Sequence, residues 1–376
     1  MMRITFLCGS LELGRDGVGD YVRRLSLDLL RHGHLVSLIS INDRHISAVI
    51  TEGGQPDDGL LPILRIPAGL DKAEGTQLIK ERIDQFNPDW LSLQYVPFSF
   101  DPKGLIFGLA KKLKGIGKGR KWHIMFHELW IGMTVESNTK ELIWGGLQRY
   151  LAGNLIKALQ PAVVHTHTDL YKKQLEKLGA KVTLLPLFSN ILVSHPGVIK
   201  EKINRDIVID KKMDLVIFGG IHIGTPIHEF AQEVADYASR QQIEINLVII
   251  GRAGKEQENW VREWEAAGLN VTQLGEHPAE KVSELLEKAV FGVFTTPIAL
   301  VEKSGSVSAM RDHGIHLLCV SRPWTPKIKL AENPYHIMEY KKGNLESFFS
   351  TKPDFSYVPT LSALSEQFID NLLIIN

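Results

Sequence analysis

The chain has 376 residues, with 43 Lys plus Arg against 43 Asp plus Glu, 44% hydrophobic residues and 23% charged ones. That length suits two cores better than one in a globular chain, and the zero net charge argues against a nucleic acid partner, which calls for a basic excess. Two cysteines, Cys8 and Cys319, each inside an apolar run, leave no disulfide framework, and no apolar run reaches the length of a membrane span.

Met1 to Cys8 is too short for a leader peptide and turns polar at once, so the expected setting is cytoplasmic. Arg3 to Cys8 reads as a strand, followed by a loop with glycines at 9, 14, 17 and 19. Asp20 to Leu30 places Tyr21, Val22, Leu25, Leu29 and Leu30 at helical spacing, and Leu35 to Ile41 is the next strand. This opening is that of a doubly wound parallel sheet, with the loop on its ligand-binding edge. It is not a dinucleotide fingerprint, because the third glycine would fall on Val22.

Alternation continues through strands at 63–66, 90–95, 122–126, 162–165 and 182–186 and helices at 72–86, 102–114, 141–159 and 170–178. Residues from about Ser189 to Lys212 lack periodicity and read as a linker. A second series follows, with strands at 214–218, 245–250 and 271–274 between helices at 227–240, 257–267 and 280–288. It closes on Phe294–Leu318, the end of a strand, a loop with Glu302, the turn Ser304-Gly305-Ser306, a helix of at least two turns, and another strand after Gly314. Free N–H groups at that helix start suit a phosphate; a serine helix cap is the alternative reading of the same residues. The expected domains are therefore 1–190, a linker at 191–212, 213–355, and a C-terminal helix at 356–376 that packs back on the first domain.

The order of these motifs resembles the GT-B glycosyltransferases, most closely glycosyltransferase family 4. Asp16-Gly17-Val18-Gly19-Asp20-Tyr21 resembles that family's opening glycine loop, and MFHELW puts His127 at the tip of a strand. Pro186 to Ile191 loosely matches the segment that closes the first domain, and Pro297 to Gly305 fits the second-domain motif with one extra residue. The resemblance implies two Rossmann-like domains facing a central cleft. It implies transfer of a sugar, as in a hexosyltransferase, from a nucleoside diphosphate sugar to an acceptor that is a glycan, a lipid-linked molecule or a small molecule, with retained anomeric configuration. His127 and Glu302 are then catalytic, and Gly17, Gly19, Arg252, Ser304, Gly305 and Ser306 bind the nucleotide sugar.

The departures matter. The position of the family's second glutamate is Met310 here, with Ser308 and Asp312 nearby. The family's Arg and Lys after the first strand of the second domain are absent from Gly219–Pro226, which carries His222; Arg252 is the substitute we assign, with Lys255 behind it and Lys303 and Arg311 as alternatives. No Asp-x-Asp pair is present to hold a metal on the phosphates, so metal-independent action without any cofactor is expected. A sugar-nucleotide epimerase and a non-catalytic nucleotide-sugar binder stay open. His165 and His167 have metal-like spacing but no third ligand nearby in sequence. The basic run from Lys111 to Lys121 reads as a helix C-terminus or as a weak membrane contact.

Overall fold

The computed structural model describes residues 1–53, 60–204, 210–330, 335–352, 355 and 360–374. The chain divides into two compact units, Met1–Pro186 with Pro359–Asn376, and Leu187–Val358. Parts of the expected linker (205–209) and of the expected C-terminal boundary (356–359) lie outside the described residues.

Unit 1 begins with β1 (Arg3–Cys8), α1 (Gly17–Arg31), β2 (Leu35–Asp43), β3 (Ile50–Glu52), β4 (Ile63–Pro67), α2 (Lys72–Phe86), β5 (Trp90–Tyr95) and α3 (Pro97–Phe100). It continues through α4 (Leu109–Ile116), β6 (Lys121–Phe126), α5 (Thr139–Leu159), β7 (Val163–Thr166), α6 (Asp169–Glu176) and β8 (Thr183–Leu184). Unit 2 holds α7 (Pro196–Asn204), β9 (Lys212–Phe218), α8 (Ile227–Gln241), β10 (Glu244–Ile250), α9 (Gln257–Ala266), β11 (Asn270–Gly275), α10 (Ala279–Lys288) and β12 (Phe291–Phe294). A 3-10 turn (Ile298–Lys303), α11 (Gly305–Asp312), β13 (His316–Cys319), β14 (Met338–Glu339) and α12 (Leu345–Ser350) complete it, and α13 (Leu361–Leu373) returns to unit 1.

Among the described residues, unit 1 has an eight-stranded sheet in the order β3-β4-β2-β1-β5-β6-β7-β8, and unit 2 a six-stranded sheet in the order β11-β10-β9-β12-β13-β14. Neighbours run parallel except β3, which pairs antiparallel with β4. Parallel strands covered on both faces are mostly apolar, and β5 is buried along its whole length with Ser92 and Gln94 as its buried polar residues. In unit 2 the alternation of side chains divides the core in two. Leu215, Ile217, Leu247 and Ile249 join Phe230, Trp260, Trp264 and Phe348 on one face. Val216, Val248 and Ile250 join Leu286, Val307 and Met310 on the other.

Two expectations need correction. The helix expected at 102–114 is broken: α3 and α4 flank a loop in which Gly104 and Gly108 take φ of +68° and +79°. A Cβ on Gly104 would lie 2.5 Å from the Gln148 amide nitrogen, so glycine is required there. The stretch read as a linker at 191–212 carries a helix, α7, whose Ile199 is buried in unit 2 beside Gly314. About two and a half turns of helix with a single buried apolar residue show little periodicity.

The last helix is part of the unit 1 core. Phe368 is 1% exposed, stacks on Phe6 at 5.9 Å between centroids, and meets the His123 ring edge-on at 5.2 Å. Phe368→Ala empties that site and is expected to lower stability by about 3–5 kcal/mol in denaturant titration. A loss under ~1 kcal/mol would show that α13 is not integral to the core.

Candidate functional site

In each unit the chain leaves one central strand in both directions. β1 lies between β2 and β5, and β9 lies between β10 and β12. The loops that follow such a strand and its neighbour diverge, and the crevice they leave at the carboxyl edge is where open α/β sheets bind ligands.

In unit 1 the β1–α1 loop is held by a buried ion pair. Arg65 on β4 donates from Nε to Asp43 Oδ2 at 2.9 Å and from its terminal nitrogen to Glu12; Asp43 is fully buried. Asp43 also accepts from Leu11 N at 3.2 Å and from the Ser10 and Ser40 hydroxyls at 3.1 and 3.2 Å. Burial alone would raise its pKa, but the Arg65 guanidinium and the backbone N–H groups outweigh burial and hold it below the usual carboxylate value. The start of α1 is itself capped: Asp16 accepts from Val18 N and Gly19 N at 2.9 and 3.0 Å. Gly19 has a packing reason, since a Cβ there would sit 3.1 Å from Leu11 Cα and Ser10 O, whereas Gly17 faces open space. With Asp16 on its N–H groups and Asp20 beside it, this loop offers an anion little attraction.

His127 follows β6 and is 6% exposed. Its Nε2 lies 2.8 Å from the Gln94 amide and its Nδ1 2.9 Å from His167 Nε2, while Tyr21 packs edge-on against both rings. Both ring nitrogens are therefore engaged, and a ligand hydroxyl reaches one only by exchange. His165 and His167, whose spacing looked metal-like, belong to this network: His165 Nδ1 is 3.1 Å from His123 Nε2, and His167 Nδ1 donates to Leu185 O at 2.9 Å. Burial and then the neighbouring His167 lower the His165 pKa to about 3, and burial takes His123 well below the usual histidine value. Sequence reasoning missed Gln94 and His123 as neighbours of His127. The available signal was a recurrence of histidines in two apolar strand ends, WHIMFH and VVHTH.

In unit 2 the loops after β9 and β12 meet. Gly219, at φ +84°, lies against Ser306, and a Cβ on it would come within 3.2 Å of Ser306 Cβ. His222 binds Thr295 Oγ1 through its backbone N–H and through ring Nδ1, both at 2.9 Å. Burial, then the charges of Lys303 and Arg322, hold the His222 pKa below its usual value, so two cations bear on this loop. Arg322 also lies alongside Gly224, whose Cβ would meet its Cβ and Cδ at 3.8 Å. Ser304 caps α11, accepting from Val307 N at a long 3.4 Å and touching the Ser306 hydroxyl at 3.2 Å. Among the described residues the N–H groups of Gly305 and Ser306 have no protein acceptor. Glu302 sits half-buried on the 3-10 turn just before the cap.

Two further candidate cations, Arg252 and Arg311, have partners. Arg252, past the end of β10, forms a half-exposed ion pair with Glu276, and Arg311 is buried with its guanidinium 3.6 Å over the Tyr335 ring. Met310 is fully buried in the core. Arg120 and Lys121, from the basic run, lie against Asp84 and over the Trp90 ring.

No family model matches the chain, and no curated protein matches it in sequence. Solved structures do resemble it. HepE from Anabaena, in complex with UDP and glucose, superposes with a TM-score of 0.62 at 13% identity, over 99% of this chain and 100% of that one. AviGT4, a glycosyltransferase involved in avilamycin A biosynthesis, gives 0.55 at 15% identity over 100% and 98%. The fold is GT-B. The UDP-GlcNAc 2-epimerase from Neisseria meningitidis, bound to UDP-GlcNAc, gives 0.56 at 11% identity over 99% and 100%. At these identities the likeness establishes the GT-B architecture of two Rossmann-like units, and activity has to be argued from residues.

The Asp43–Arg65 pair has a direct test. Arg65→Met strands a buried carboxylate and should cost about 3–5 kcal/mol at neutral pH, measured by denaturant unfolding. Because the folded pKa of Asp43 lies below its unfolded value, the wild-type contribution is present at neutral pH and is lost as pH falls through the folded pKa. A variant as stable as the parent at pH 7 would contradict this account.

Proposed function

We propose that this chain is a nucleotide-sugar enzyme that transfers a glycosyl group from a nucleoside diphosphate sugar to an acceptor. The observation that carries the reading is in unit 2: Gly219 packed on Ser306, open N–H groups at Gly305 and Ser306, and the charges of Lys303 and Arg322 on the same loop. The leaving diphosphate gains negative charge in the transition state, and fixed N–H dipoles with nearby cations are what stabilises it. Lys303 and Arg322 supply the charge that the family's missing Arg and Lys would have given. Arg252 can serve only by exchanging Glu276 for phosphate. Glu302 and His127 keep the catalytic, sugar-side roles that the resemblance implies, together with retention of configuration. The UDP and UDP-glucose bound to HepE support a uridine donor.

The epimerase reading is kept because the UDP-GlcNAc 2-epimerases are comparable neighbours in fold. A thermal-shift screen of UDP, GDP and ADP sugars followed by product analysis separates the two: a free nucleoside diphosphate with a new glycoside marks transfer, and a changed sugar nucleotide marks epimerisation. Binding without either product would leave a binding protein.

Gly305→Val tests the phosphate site cleanly. A Cβ at Gly305 meets nothing within 4 Å, so the variant should fold, and the added side chain is expected to hold a phosphate away from the backbone. Nucleoside diphosphate affinity should fall by about 2 kcal/mol or more, and Ser306→Ala, which keeps its N–H, should lose less. Affinity equal to the parent would reduce the turn to a helix cap. With no Asp-x-Asp pair in the sequence, turnover should also survive EDTA; loss that magnesium or manganese restores would refute metal independence.

A further inference from the structure

Eight groups in the unit 1 core form one continuous line of polar contacts: Asn371, His165, His123, Ser92, Gln94, His127, His167 and the Leu185 carbonyl. The last is the only one whose role is fixed in advance, because a carbonyl oxygen accepts and never donates. His167 Nδ1, 2.9 Å from it, therefore carries a proton.

The direction of the rest follows by counting protons. The structure places the Gln94 amide oxygen on His127 Nε2 and its NH2 on Ser92 Oγ. Both ends of the His127–His167 pair then face acceptors, and the three contacts at 2.8, 2.9 and 2.9 Å require three ring protons. Two neutral imidazoles hold two. The surplus would be a positive charge on rings 6% and 3% exposed, which burial disfavours. Turning the amide over removes the surplus: its NH2 donates to His127 Nε2, and His127 Nδ1–H donates to His167 Nε2. Amide oxygen and nitrogen have nearly the same shape, so the hydrogen-bond network, not the outline of the side chain, decides between them.

The other side of the amide gives the same answer. With the Asn371 NH2 on His165 Nε2 at 2.9 Å, as the structure places it, His165 holds its proton on Nδ1 and donates to His123 Nε2 at 3.1 Å. His123 in turn donates from Nδ1 to Ser92 Oγ at 2.7 Å. The Ser92 hydroxyl then has its own proton to give, and Gln94 is 2.7 Å away. An NH2 there would leave that proton without an acceptor in the line; the amide oxygen accepts it.

We propose that Gln94 presents its oxygen to Ser92 and its NH2 to His127, so that the line runs in one direction from Asn371 to Leu185 and fixes all four imidazoles as neutral Nδ1–H tautomers. Gln94 and His167 are then positioning residues for His127, and they leave its Nε2 with a lone pair. A sugar hydroxyl that displaced the Gln94 amide would meet an acceptor at His127 Nε2. The assignment of tautomers stands on geometry alone; only its meaning for a sugar rests on the proposed function.

The experiment is nitrogen NMR on full-length protein carrying 15N-histidine, in which long-range proton–nitrogen correlations distinguish the two neutral tautomers and the imidazolium. Rings are assigned by single replacement. Where a replacement unfolds the chain, through-space contacts assign them, from Tyr21 to His127 and His167 and from Phe368 to His123 and His165. At pH 7, His123, His127, His165 and His167 should each show a protonated Nδ1 and a bare Nε2. A proton on His127 Nε2, alone or together with one on Nδ1, would overturn the proposal. If the tautomers are as stated and no nucleoside diphosphate sugar binds, the functional reading fails by itself and the network stands.

Discussion

A parallel sheet covered on both faces can meet a ligand only along its carboxyl edge, and that constraint arranges both units. Along the buried part of a strand successive residues are committed to one core and then the other, as Leu215, Val216 and Ile217 show. The first residue free to do anything else is the one just past the strand. Gly219 follows Phe218, Thr295 follows Phe294, and His127 follows Phe126. The candidate site residues therefore lie at strand ends, while the polar Ser92, Gln94, His123 and His165 inside β5, β6 and β7 are satisfied by one another.

That regularity made most of the architecture legible. Short apolar runs separated by amphipathic stretches have one economical arrangement, and strand positions read from the sequence agree with the observed ones within a few residues. Where legibility ended, the cause is specific. At 102–114 an apolar, lysine-rich composition favoured helix, but two left-handed glycines interrupt it. β3, β14 and α12 are too short to set up a period. The Ser304–Ser306 turn was visible because its partners are adjacent in sequence. The partners of Arg65 and His127 come from strands brought together by crossovers, and no spacing along the chain encodes that. The cation assignment to Arg252 shows the same limit, since the Glu276 beside it is supplied by a neighbouring strand end.

Burying four histidines in one unit would be costly if each needed its own partner. Imidazole and hydroxyl share a property that makes the cost small: in the neutral state each can both donate one hydrogen bond and accept one. Such groups can be strung in series, each satisfying the next, with only the two ends requiring help from outside. Here the ends are a backbone carbonyl and a helix amide, both of which the fold supplies in place. A fully satisfied line of this kind stiffens the region it crosses, which suits a strand end that must hold a ring steady.

The return of α13 to unit 1 has a consequence for how the molecule is made. Unit 2 is one uninterrupted stretch of chain, Leu187–Val358, so everything it needs has left the ribosome once that stretch has been synthesised. Unit 1 emerges first but lacks the helix that covers Phe6 and His123 until Phe368 follows, after the whole of unit 2. The usual order, in which the leading domain settles before the next is translated, is inverted in its last step. During that interval the leading unit carries the apolar strip that Leu364, Phe368 and Leu372 later cover.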